Sequence, residues 1–143
     1  MSQHNIERFL PEQENDYPVA LREMKAGHKQ SHWIWYIFPQ LKELGKSYTA
    51  KNFGIQDINE AKEYLAHPVL GARLIEITQA ILNLNGNNPL HLMGSHVDML
   101  KLRSSMTLFA EISPEGSVFH RVLEKYFNGE KDEATLNLLA GKN

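Results

Sequence analysis

The strongest constraint on the fold is a helical punctuation that recurs from one end of the chain to the other. In HPVLGARLIEITQAILNLNG, Pro68 suits a first helical turn, where a missing amide is tolerated. Leu70, Leu74, Ile77, Ile81 and Leu84 then form an apolar stripe that Asn85-Gly86 closes. DINEAKEYL opens with Asp57 and Glu60 in capping-box spacing, with Ile58, Ala61 and Leu65 on one face. ENDYPVALREMKAG sets Tyr17, Ala20, Leu21 and Met24 at helical spacing ahead of a Gly27 stop. NPLHLMG reads as one short turn of helix. SHVDMLKLRSSMTLFAEI starts on Ser95 and Asp98, although its alternation from Met99 to Arg103 is less clean than a helix wants. SPEGSVFHRVLEKYFNG offers Ser113 as cap and Pro114 as first residue, and KDEATLNLLAG repeats the formula with Asp132 and Gly141. The spacing predicts an all-α chain of six to seven helices in one domain, residues 1–143. One long irregular connection is expected near residues 45–55.

Bulk properties agree and exclude several functions. A chain of 143 residues buries about two-thirds of its unfolded surface in a single core. Fifteen Lys and Arg against seventeen Asp and Glu give a net charge of -2, which disfavours a broad nucleic-acid binder while leaving room for a small basic pocket. With no cysteine there are no disulfides, thiolate nucleophiles or Cys-based zinc sites, as suits a reducing compartment. The start MSQHNIERFLPEQEND lacks secretory character, and the longest apolar run, WIWYIF, is far short of a membrane span. A soluble cytoplasmic protein without membrane contact is expected.

Two segments carry candidate chemistry. SHWIWYIFPQ crowds aromatic rings between Gly27 and Pro39, and most of them read as core. If Ser31 caps this element, Ser31, His32 and Trp35 flank its polar start and offer donors and a ring for stacking. DMLKLRSS brings Asp98, Lys101, Arg103, Ser104 and Ser105 within eight positions. An arginine fork with adjacent hydroxyls suits phosphate or carboxylate. On a regular helix Lys101 and Arg103 diverge by about 200°, so a shared anion requires a bend there, and Asp98 is one available partner for Arg103. His32 and Asp98 are the catalytic candidates, as acid and base for hydrolysis. The histidine pairs His28/His32 and His91/His96 lack both a shared helix face and an acidic companion, and no phosphate loop, dinucleotide turn or nucleophile elbow is present. No metal and no cofactor are expected.

The blocks GHKQSHWIWYIFPQLKELGKS, EAKEYLAHPVLGARL and KLRSSMTLF resemble a bacterial family known only as domain of unknown function 1810. Its members have about this length and carry the blocks in this order. The resemblance runs from Ile6 to the NGEKDEATLNLL tail, with Ile34 and Tyr36 where Met and Phe are common. It implies a compact, mainly helical domain and brings no established activity or catalytic residues. In layout the chain is also similar to helical enzymes that handle ADP-ribose or N-glycosides, which is a fold-level analogy. Two functions follow as expectations. One is a protein that binds or hydrolyses a small nucleotide or ADP-ribose-like anion through Ser31, His32, Trp35, Lys101, Arg103, Ser104 and Ser105. The other is a non-enzymatic protein-interaction module with a purely structural aromatic block.

Overall fold

The computed structural model describes residues 5–141. After a short 3-10 helix at Ile6–Phe9, the described residues form α1 (Leu10–Ala26), α2 (Ile34–Ile37), α3 (Tyr48–Asn52), α4 (Ile58–Ala66), α5 (Leu70–Leu82), α6 (Pro89–Met93), α7 (His96–Glu111), α8 (Val118–Phe127) and α9 (Glu133–Leu139). The fold is all-α, and six of these helices have seven or more residues. A parallel bridge between Leu41 and Ile55 closes the loop that carries α3.

Local chemistry sets most boundaries. Asp57, Asn88, Ser95 and Asp132 each accept, through a side-chain oxygen, the amide three residues on, which satisfies a donor the helix cannot. Other boundaries differ from the sequence reading. The 45–55 connection is not irregular throughout, because Ser47 accepts the Ala50 amide and starts α3. Ser117 rather than Ser113 caps α8, accepting the His120 amide. Pro68 precedes α5, and the His67 ring nitrogen Nδ1 accepts the amides of Val69 and Leu70. Ser31 does not cap the aromatic element; α2 begins at Ile34, behind Trp33. No bend interrupts α7. Its pattern is blurred over Met99–Arg103 because Leu100 is exposed while Leu102 is buried, and beyond it every residue from Ser104 to Ala110 is buried, so that no single stripe shows.

α8 packs between α5 and α7, and α5 also carries α1 and α4. Phe109 of α7 meets Tyr64 and Phe119, each at 5.7 Å between ring centres. Trp33, Ile34, Ile37 and Phe38 lie fully inside this core, and side chains of that size each contribute about 1.5–3 kcal/mol by leaving water. The turn between α4 and α5 closes on bare backbone. A Cβ on Gly71 would lie 2.0 Å from the Leu65 carbonyl oxygen.

Candidate functional site: a cation-lined hollow beside the aromatic element

Near the C-terminal end of α1, the buried Glu23 carboxylate organises the chain that enters α2. Its Oε1 accepts the amides of Gln30 and Ser31 at 2.9 and 3.0 Å and the Trp33 indole N–H at 2.9 Å. Its Oε2 accepts the Ser31 hydroxyl at 2.5 Å. Burial alone would raise the pKa of this carboxyl, but the hydrogen bonds to the ionised form outweigh it and hold the group down to about 2. Next to it Lys29 is buried. Its Nζ donates to the Ser31 carbonyl at 2.6 Å, pairs with Asp98 at 2.8 Å and lies 5.0 Å from the Trp33 ring centre.

This network places the sequence candidates. Ser31 is held by Glu23, and Asp98 belongs to Lys29, not to Arg103. His32 is exposed, and its backbone carbonyl accepts the Tyr36 hydroxyl at 3.4 Å. Trp35 is half-buried with Lys101 Nζ 5.2 Å from its ring centre, and the pair lines a narrow cleft of about 10 Å³ with Phe38, Gln40, Phe53 and Gly54. That is room for about one water. The Trp35 indole N–H is buried without an acceptor among the described residues. Arg103 projects elsewhere, as an unbent α7 requires. Its guanidinium lies 3.9 Å from Asp132 and lines a separate open hollow with Glu130, Lys131, Asp132, Glu133 and Leu136. Ser104 bonds to Leu100 and Asp132, each at 3.1 Å, while Ser105 is fully buried with no partner for its hydroxyl among the described residues. Trp35 and Lys101 therefore come together, and Arg103 does not join them.

A second hollow, of about 180 Å³, adjoins the Trp35 cleft and shares Gly54 with it. Its walls are Asn5, Arg8, Lys42, Lys51, Asn52, Gln56 and Glu60. Arg8 is the keystone. It donates from Nε to the Asn52 carbonyl (2.9 Å), from Nη1 to Asn5 (2.8 Å) and Glu60 (2.9 Å), and from Nη2 to Gly54 (2.7 Å) and Glu60 (3.0 Å). All five guanidinium N–H groups are thereby used. Glu60 also accepts the Gln56 amide at 2.9 Å. The Leu41–Ile55 bridge completes the frame, and a Cβ on Gly54 would lie 2.3 Å from the Lys42 Cα. Lys42 and Lys51 are exposed, and neither pairs with a carboxylate among the described residues. Sequence reasoning misses this hollow because Arg8 and Glu60 stand far apart along the chain. The visible signal was three lysines, Lys42, Lys46 and Lys51, around Gly45 and Gly54.

Among the described residues no group of three or more His, Asp and Glu forms a metal set. His28 and His91 stack at 5.0 Å, with His28 Nδ1 2.7 Å from the His91 carbonyl. No helix among these residues is long and apolar enough to cross a membrane.

The family model described as "Protein of unknown function (DUF1810)" matches residues 3–139. The chain belongs to the DUF1810 family. Its fold is similar to the crystal structure of the conserved hypothetical protein Rv1873 from Mycobacterium tuberculosis, solved at 1.38 Å. The two share 40% identity over 97% of this chain and 99% of that one, with a TM-score of 0.92. No curated protein is significantly similar to this DUF1810 chain.

Proposed function

We propose that the protein binds a small phosphate-bearing ligand, a nucleotide or ADP-ribose-like anion, where the Lys42–Lys51 hollow meets the Trp35–Lys101 cleft. The observation that carries this reading is a pair of lysines, Lys42 and Lys51, without a carboxylate partner among the described residues, on a frame that Arg8 and Glu60 hold rigid. Arg8, Lys42 and Lys51 against Glu60 leave the hollow at +2 in a chain whose net charge is -2. Lysine acts on phosphate as a point charge and needs no fork geometry, and a preorganised site loses little entropy on binding. The Arg103 hollow suits an anion less well, since Arg103 and Lys131 face three carboxylates there.

The ligand is bound without being hydrolysed. Asp98 is committed to Lys29, and Glu60 to Arg8. Titration calorimetry with ADP-ribose at low ionic strength tests it. Saturable binding is expected, weakened about tenfold or more in Lys42→Ala/Lys51→Ala and weakened by added salt. Binding that the double variant leaves unchanged would refute it.

The second reading, a protein-interaction module, draws support from exposed Leu90, Val97 and Leu100 on α6 and the first half of α7. Self-association abolished by Val97→Asp, with no ADP-ribose binding anywhere, would favour it.

A further inference from the structure

Tyr48 is the first residue of α3 and leaves 82% of its surface in solvent. That is an unusual place for a large ring. Ala50 is the buried residue of α3, packed so closely that a Cβ on Gly45 would lie 2.5 Å from its methyl. Residues three and four positions apart share a helix face, with Cβ atoms about 5–6 Å apart. Tyr48 therefore stands on the face of Lys51 and Asn52, both of which line the cationic hollow. Tyr48 does not itself line the hollow; it neighbours, on one helix face, two residues that do.

Its support is fixed. Ser47 Oγ accepts the Ala50 amide at 3.0 Å, and Arg8 Nε holds the Asn52 carbonyl at 2.9 Å. Both ends of α3 are thus anchored, one by its cap and the other by the keystone arginine. Lys46 precedes the cap and is also exposed. An exposed ring on an anchored helix pays little ordering entropy when it is covered, and each base has a face that it can cover.

We infer that Tyr48 stacks on the base of a nucleoside 5′-phosphate whose phosphate is held by Lys42 and Lys51. This rests on the phosphate reading of the hollow and adds the half of the ligand that the lysines do not recognise. A bare sugar phosphate would fill the hollow and leave the ring uncovered. The same chemistry is offered by a free nucleotide and by the 5′-phosphorylated end of a short strand.

Calorimetry of the full chain at low salt tests this with four probes: ribose 5-phosphate, AMP, and a pentanucleotide with and without its 5′-phosphate. Variants are Tyr48→Ala and Tyr48→Phe, both at an exposed position that the core does not use. AMP is expected to bind about tenfold more tightly than ribose 5-phosphate, on the scale of one base–aromatic stack. Tyr48→Ala should remove that advantage and leave ribose 5-phosphate unchanged, while Tyr48→Phe should keep it. A phosphorylated pentanucleotide tighter than AMP would identify a strand end as the source, and equal affinities a free nucleotide; either supports the inference. Equal binding of AMP and ribose 5-phosphate, both indifferent to Tyr48→Ala, overturns the stacking role and leaves the phosphate reading standing. Equal binding of the two pentanucleotides overturns the placement of the phosphate on the lysines. No binding by any probe overturns both readings.

Discussion

The indole N–H of Trp33 donates to Glu23 at 2.9 Å, so a buried carboxylate fastens the aromatic element to the end of α1. The carboxyl is held down to about 2 against an ordinary 4.5. The unfolded chain therefore binds this proton more readily. The associated stability is complete above about pH 5 and is lost as pH falls toward 2, and a shift of this size corresponds to about 3 kcal/mol. Glu23→Gln should be less stable than the parent by about that amount at pH 7 and match it near pH 2. Urea unfolding across this range checks the claim, and parallel pH profiles would contradict it.

Lys29 and Asp98 make an asymmetric pair, with the lysine side chain 6% and the aspartate 18% exposed. Removing the acid strands a buried ammonium, whereas removing the base leaves an acid that water still reaches. Asp98→Ala is expected to cost about 3 kcal/mol, and Lys29→Met clearly less. Chemical denaturation of both variants and of the double variant would show this. Equal costs would contradict the assignment.

Gly71→Ala places a methyl against the Leu65 carbonyl, 2.0 Å from its oxygen. The α4–α5 junction must open, at a cost of about 2–3 kcal/mol. Gly86 has no atom within 4 Å of its would-be Cβ, so Gly86→Ala should leave the melting temperature nearly unchanged. Similar melting of the two variants would contradict this packing.

Arg8→Lys keeps the charge but offers three donors where five acceptor contacts are made. A loss of about 2 kcal/mol is expected, concentrated in the α3 loop. Amide exchange at Lys42 and Ile55, the amides of the bridge, should accelerate more than exchange in α7. Uniform acceleration would mean that Arg8 is not a local keystone.

Much of the fold is legible in the sequence because caps are local. Asp57, Ser95 and Asp132 announce themselves by side chain and spacing, and each does bind the amide three residues on. Ser113 misleads because Pro114 looks like a first helical residue, while the turn through Gly116 delays α8 to Ser117. α3 is missed because five residues carry too few apolar positions to show a period. The site is less legible. The Trp35–Lys101 contact joins two segments both picked out from the sequence, but the clamp of Arg8 on Glu60 and on the carbonyls of Asn52 and Gly54 exists only after folding. In the sequence Arg103 reads as a fork for phosphate, yet a regular α7 turns it toward Asp132.

Phosphate-ligand binding at the Lys42–Lys51 hollow is read out residue by residue in a ¹H–¹⁵N titration of the full chain with ADP-ribose at low ionic strength. Saturable shifts are expected at the amides of Lys42, Lys51, Asn52 and Gln56 and at the Trp35 indole N–H, all abolished in Lys42→Ala/Lys51→Ala. Absence of saturable shifts at millimolar ligand, or shifts confined to the surroundings of Arg103 and Asp132, would contradict it.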